Sequence, residues 1–325
     1  MSMKAIFLDR ATFSADLALT TPHGLSDYQV YAQTPNDPKI IIERCQDADI
    51  VITNKVELTA EIIAQLPKLK LIQLTATGMN NVDKDACDKH GITVKNVAGY
   101  AVKSVPEHTF MLILSAMRAA RHYHHEVVHG DWQKDGRFCL LDTPLIDLEG
   151  KTLGIIGYGT IGKRVGGIAK VFGMTVLIAE HQNRLPRNSD YSAFDDVLAQ
   201  SDVITLHCPL TEQTQHLVNA DSIAKMTKKP LIINVARGGV VDSQAVAEAV
   251  TQGKLLGYGA DVFEDEPIKD NDPLLTLKDH PRVIFTPHNA WGSVNAQLNL
   301  WDILCQQVQE FTQLSHKRNN ENNGQ

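Results

Sequence analysis

The chain has 325 residues, with 31 Lys and Arg against 38 Asp and Glu and a formal net charge of -7. That balance argues against a nucleic-acid partner, which needs a basic face toward the phosphates. The length and a 43% apolar content suit two α/β lobes with ordinary aliphatic cores.

No apolar run reaches the roughly 18 residues of a membrane span, so no membrane partner is expected. The run before Asp9 and Arg10 is also too short for a signal-peptide core. Cys45, Cys87, Cys139, Cys208 and Cys305 are odd in number, far apart and form no CxxC. They read as five reduced thiols in a cytoplasmic protein.

Strand-like runs KAIFLD, ADIVIT, LKLIQLT and GITVKNV alternate with helical segments as far as about residue 100. A long helix is predicted from about Val102, with Pro106 tolerable in its opening turn. A loop-rich stretch follows, and then a second series: TLGIIG, TVLIAE, DVITLH, PLIINV, LGYGAD and RVIFTP. Near-continuous apolar strands separated by helices predict an α/β fold with parallel sheets covered on both faces. Residues 292–311 read as a last amphipathic helix, and the polar stretch 315–325 as a disordered tail. No linker separates two halves, so the chain is expected to cross between lobes more than once.

The segment TLGIIGYGTIG places Gly157, Tyr158, Gly159, Thr160, Ile161 and Gly162 after a strand and at the start of a helix. In this context GxGxxG reads as a dinucleotide-phosphate turn. Gly157 permits the tight turn, Gly159 lets the backbone approach a pyrophosphate, and Gly162 allows helix–strand packing. The helix N-terminus attracts the negative charge. Glu180 ends the next strand, 18 residues on, and can accept hydrogen bonds from both ribose hydroxyls. It would repel a 2′-phosphate, favouring NADH over NADPH; Arg184, four residues further, is a cation that partly offsets this.

Three motifs then follow predicted strands. NVARGG places Arg237, GADVFEDEP places Asp261, Glu264, Asp265 and Glu266, and TPHNAW places His288. Ligands bind at the carboxyl ends of strands in open parallel sheets, so these motifs converge on the edge where a cofactor would lie. Reduction of a 2-oxo acid needs a cation for the carboxylate, a proton donor for the carbonyl oxygen and a hydride source. Arg237 offers a planar fork, and His288 can shuttle a proton near neutral pH. A carboxylate beside His288 would hold its orientation. Glu264 and Asp265 read as solvated loop charge.

The motifs NVAGYAVKSVPEHT, GIIGYGTIG, LHCPLT, NVARGGVVD, GADVFEDEP and TPHNAW, in this order, resemble the D-2-hydroxyacid dehydrogenase family over nearly the whole chain. The resemblance implies two doubly wound parallel-sheet domains, with a Rossmann NAD-binding domain inserted into a flavodoxin-like substrate domain. The substrate domain would be 1–101 plus 290–325, and the NAD-binding domain 102–289. By this resemblance Arg237 is the substrate arginine, Glu266 the acid that orients the histidine, and His288 the acid/base. Asp261 lies near the nicotinamide amide. His207, Cys208, Pro209, Val235 and Ala236 line the cofactor, together with Thr77, Arg237, His288 and the glycine turn. Asn54, Lys55, Thr77, Gly78, Met79 and Trp291 join Arg237 and His288 around the substrate. FLDR and PHNAW most resemble the branch that reduces hydroxypyruvate, and glyoxylate with it, to the D-2-hydroxy acid. Phosphoglycerate and D-lactate types are alternatives. Glu180 stands where Asp is commoner in the family, and Pro106 where Ala is common. The segment 102–145 resembles the family's dimerisation region, so a homodimer is expected.

Two rivals stay open. His125-Glu126-Val127-Val128-His129 matches HExxH, in which two histidines on one helix face could bind zinc. No third-ligand motif follows, and no metal is expected. The other rival is an NAD-sensing, corepressor-like protein that keeps the glycine turn without turnover.

Overall fold

The computed structural model describes residues 3–322 and divides into two compact units. Unit 1 comprises residues 1–101 and 292–325, and unit 2 residues 102–291. The chain thus leaves unit 1 once and returns once; the return falls two residues later than the expected 290.

Unit 1 holds β1 (Met3–Phe7), β2 (Leu25–Val30), β3 (Ile50–Thr53), β4 (Leu71–Leu74) and β5 (Thr93–Lys95). They form one parallel sheet in the order β2-β1-β3-β4-β5, the flavodoxin-like order. Between them run α1 (Pro38–Cys45), α2 (Ala60–Ile63) and α3 (Lys84–Lys89). Each helix starts on a side-chain cap: Asp37, Thr59 and Asp83 accept from first-turn N–H groups. The alternation of apolar runs did not reveal β2, whose LSDYQV is mostly exposed at the sheet edge.

Unit 2 opens with α4 (Ser104–Met117), α5 (Ala120–Val128) and α6 (Asp131–Asp135). Its strands are β6 (Thr152–Ile156), β7 (Thr175–Ala179), β8 (Tyr191–Ser192), β9 (Val203–Leu206), β10 (Leu231–Asn234), β11 (Gly257–Ala260) and β12 (Val283–Phe285). The helices α7 (Thr160–Val171), α8 (Phe194–Gln200), α9 (Ala220–Ala224) and α10 (Ser243–Thr251) alternate with them. The seven strands are parallel in the order β12-β11-β10-β9-β6-β7-β8. The order reverses between β6 and β9, which makes their carboxyl ends the switch point where ligands bind. The sheet separates two apolar clusters. One gathers Val197, Leu198, Ile223, Val246 and Val250 from α8, α9 and α10. The other gathers Leu112, Ile113, Val165 and Ala169 from α4 and α7.

The last helix, α11 (Val294–Asn322), belongs to unit 1. Trp301 on it is buried, stacks on Phe7 at 5.5 Å between centroids and meets Phe13 edge-on. This contact explains why the final segment completes the N-terminal lobe. The expected tail at 315–325 is corrected in part: the helix continues through Asn322, and 323–325 lie outside the described residues. No proline or glycine interrupts the chain after Gly292 until Gly324. Each added residue therefore gains a backbone hydrogen bond once the packed turns have nucleated the helix.

Candidate active site

The turn after β6 fits a dinucleotide phosphate. Gly157 has φ +94°, and a Cβ there would sit 2.5 Å from the Cys208 nitrogen and 2.6 Å from the His207 carbonyl carbon. A side chain at Gly159 would point into open space, leaving room for a phosphate against the backbone. Gly159 caps α7 without a side-chain hydrogen bond, and Thr160 and Ile161 begin its first turn. The helix therefore presents uncapped N–H groups and the positive end of its dipole to an anion. Tyr158 is half-buried against the α4 side of the sheet.

Directly across the switch point, His207 follows β9, and its main-chain nitrogen donates to the Ile156 carbonyl at 2.8 Å. Both its ring nitrogens are buried without a hydrogen-bond partner among the described residues. Burial lowers its pKa to about 4. An orphaned, uncharged imidazole beside the glycine turn is a ready partner for a bound polar ligand. Neighbouring Cys208 is buried, which pushes its thiol up to about 11 and makes it an inert wall. The Pro209 carbonyl accepts from Thr214 Oγ1, while Val235 and Ala236 are largely buried after β10. These residues fit the walls of a dinucleotide site.

Arg237 follows them in extended backbone and is exposed. Its Nη1 donates to the Ala236 carbonyl at 2.7 Å. Among the described residues no carboxylate pairs with it, so its fork is open to an anionic ligand.

Glu266 and His288 come together as the sequence suggested. His288 Nδ1 lies 2.5 Å from Glu266 Oε2, and the Phe263 N–H donates to Glu266 Oε1 at 3.0 Å. His288 is held at φ +51°, a conformation rare outside glycine. Asp261 explains how that turn is maintained. It is 1% exposed; Oδ1 accepts from Thr286 Oγ1 at 2.6 Å and Asn289 N at 2.9 Å, and Oδ2 from Ala290 N at 2.9 Å. Three hydrogen bonds from one carboxylate thus clamp the segment bearing His288. Asp261, expected near the nicotinamide, has this structural part, which the motif alone did not reveal.

Sequence reasoning also missed His108 on α4. Its Nε2 sits 2.9 Å from Thr286 Oγ1 and 3.5 Å from Asp261 Oδ1. Burial lowers its pKa, with Asp261 opposing. Only the EH of VPEHT marked its place in the sequence. Glu264 takes on more than solvated charge, since it accepts from Ser243 N at 3.1 Å and faces His216 at 3.3 Å. Among the described residues, Asp265 pairs with Lys269, four residues on.

Glu180 is where structure and sequence differ most. It is 3% exposed, and its carboxylate is already fully engaged. Arg187 Nε and Nη2 donate at 2.7 and 2.6 Å, and the His181 and Arg187 main-chain nitrogens at 2.8 and 3.0 Å. The Arg187 bonds, then that of His181, hold the carboxyl far below its ordinary range. The cation that meets Glu180 is Arg187, and not Arg184.

In unit 1, buried Asp9 follows β1 and binds the loop after β3. Thr53 Oγ1 donates at 3.0 Å, Asn54 N at 2.9 Å and Lys55 N at 2.7 Å. Burial raises the pKa of Asp9 against these bonds. Asn54 is buried and Lys55 exposed. Asn81 ties the same loop to the one after β4 through the Asn54 and Val56 carbonyls. In that second loop Thr77 donates to the Val97 carbonyl, Gly78 is half-buried and Met79 packs on the unit-1 core. Trp291 ends unit 2, half-buried.

On the HExxH stretch, His125 and His129 stack at 3.8 Å between ring centroids. Asp131 brings an unforeseen third donor, with ligand atoms of His125, Glu126 and Asp131 all within 4.8 Å of one another. In that arrangement Glu126 would be a ligand, whereas a zinc peptidase needs it free as the base.

A family profile described as "D-isomer specific 2-hydroxyacid dehydrogenase, NAD binding domain" matches residues 110–290. The chain belongs to this family. Like the other members, this 2-hydroxyacid dehydrogenase is an NAD-dependent oxidoreductase. It is 42% identical to a glycerate dehydrogenase of Methylorubrum extorquens over 96% of each chain. It is 38% identical to a hydroxypyruvate reductase of Blautia hydrogenotrophica, over 95% of this chain and 97% of that one. A solved D-lactate dehydrogenase from Aquifex aeolicus, complexed with NAD and lactic acid, matches over 97% of both chains with a TM-score of 0.78 and 29% identity.

Proposed function

We propose that this 2-hydroxyacid dehydrogenase reduces hydroxypyruvate, and glyoxylate with it, to the D-2-hydroxy acid with NADH. The observation that carries the chemistry is the 2.5 Å contact between His288 Nδ1 and Glu266 Oε2 on the same sheet edge as the open Arg237 fork. The substrate class is supported by the two relatives near 40% identity and by FLDR and PHNAW.

Arg237 would hold the substrate carboxylate through two parallel hydrogen bonds. With Nδ1 committed to Glu266, His288 keeps Nε2 to give its proton to the carbonyl oxygen. Glu266 stabilises the protonated ring and fixes its tautomer. Bound NADH supplies the hydride to the carbonyl carbon. The glycine turn, α7, His207 and Asp261 would hold the cofactor, and Asn54, Lys55, Thr77, Gly78, Met79 and Trp291 would contact or shape the substrate. The match to an NAD binding domain profile supports NADH as the hydride source.

Exposed apolar side chains cluster in the segment expected to pair two chains: Val128, Leu141 and above all Phe138, 95% exposed. This supports a homodimer, which sedimentation would show as a species of twice the chain mass. The five cysteines are free, which supports a reducing, cytoplasmic setting.

A steady-state panel of hydroxypyruvate, glyoxylate, pyruvate and phosphohydroxypyruvate with NADH tests the activity. Hydroxypyruvate should give the highest kcat/KM. A clear preference for another acid would overturn the substrate assignment. NADH binding without turnover of any would favour a sensing role.

A further inference from the structure

The ribose-recognition position of this chain is built differently from a free acid. We propose that the Glu180–Arg187 pair lets the enzyme accept a 2′-phosphorylated dinucleotide as well as NADH, with Arg187 as the residue that meets the phosphate. The inference rests on the dinucleotide reading of the glycine turn.

Glu180 follows β7, the neighbour of β6, whose end leads into Gly157. A free carboxylate here would accept from the ribose hydroxyls and repel a phosphate. An ionised carboxylate offers about four acceptor positions, and Glu180 receives four hydrogen bonds from His181 and Arg187. Its acceptors are spent, and its charge is matched by a guanidinium in bidentate geometry.

Arg187 remains available. Its side chain is 49% exposed, and its guanidinium lies over the Tyr191 ring at 4.4 Å. Two of its five N–H groups go to Glu180, and no other acceptor meets it among the described residues. Stacking on Tyr191 presents a flat, oriented fork, the geometry suited to phosphate. The 181–190 loop adds exposed His181 and Arg184 against Asp190 as its own acid. A 2′-phosphate would therefore face a compensated carboxylate and the remaining N–H groups of a guanidinium that stays paired with Glu180.

The test is equilibrium binding of NADH and NADPH, followed by nucleotide fluorescence, for the wild type, Arg187→Ala and Arg187→Lys. The wild type should bind NADPH within about tenfold of NADH. Arg187→Ala should raise the NADPH-to-NADH Kd ratio at least tenfold, because the phosphate loses its partner and the Glu180 charge is left uncompensated. Arg187→Lys should fall between, keeping a point charge without the fork. Rejection of NADPH by the wild type, at more than about a hundredfold weaker than NADH, would overturn the proposal. So would an Arg187→Ala variant that weakens both nucleotides equally, which would mark the pair as loop scaffolding. Failure to bind either nucleotide would instead sink the dinucleotide reading itself.

Discussion

One oxygen of Glu266 meets His288 Nδ1 at 2.5 Å while the other accepts the Phe263 N–H at 3.0 Å. The carboxylate is thus anchored to its own loop as it orients the imidazole across 22 residues of chain. Glu266→Gln keeps the shape and removes the charge. Stabilisation of the protonated imidazole and the certainty of its tautomer should go with it. We expect kcat to fall on the order of 10²-fold with little change in NADH affinity; an unchanged kcat would remove Glu266 from the mechanism.

Arg237 has no carboxylate partner among the described residues, so its replacement should act on substrate alone. Arg237→Ala should raise KM for the 2-oxo acid by about 10² or more, and Arg237→Lys should recover only part of this. Initial-rate kinetics separate the two, and an equal KM for Lys and Arg would argue against bidentate binding.

The pH dependence of stability should report on His207. Its pKa is about 4 in the folded protein and near 6.5 in an unfolded chain. Between these values the unfolded state binds the extra proton, so stability present above pH 6.5 is lost as pH falls toward 4. At pH 5 the loss attributable to this residue is about 2 kcal/mol. Urea unfolding of the wild type and His207→Leu at pH 7 and pH 5 should show the variant losing less. Parallel losses in the two proteins would contradict the buried, neutral state of His207.

Gly157→Ala should disrupt the phosphate turn. The added methyl would lie 2.5 Å from the Cys208 nitrogen in a left-handed backbone conformation. Destabilisation of about 2 kcal/mol or more should accompany weakened NADH binding, visible together in thermal melts with and without NADH. A variant with wild-type melting and affinity would show that the turn tolerates a side chain.

Much of this architecture is legible in the chain because parallel strands buried on both faces leave unbroken apolar runs. Ten of the twelve strands in the described residues are marked that way; the two-residue β8 is not, nor is β2, since its exposed edge residues Ser26, Asp27 and Gln29 read as loop. The placement of the proposed site residues is also legible, because Arg237, Asp261, Glu266 and His288 each follow a strand that fixes their common edge. Occupancy of a side chain is harder to read. Glu180 looks free in sequence, and only folding of the 181–190 loop brings Arg187 back onto it. The hold of Asp261 on the 286–290 segment is likewise hidden until that segment wraps its oxygens. His108 carries no motif of its own and is placed near Asp261 by the packing of α4 against the sheet.

The claim that His288 carries the proton is tested most directly by His288→Asn, assayed for hydroxypyruvate reduction beside a fluorescence titration with NADH. The account predicts a kcat lower by about 10²–10⁴-fold with NADH affinity within about threefold of wild type. Turnover at the wild-type rate, or loss of NADH binding in step with turnover, would contradict it.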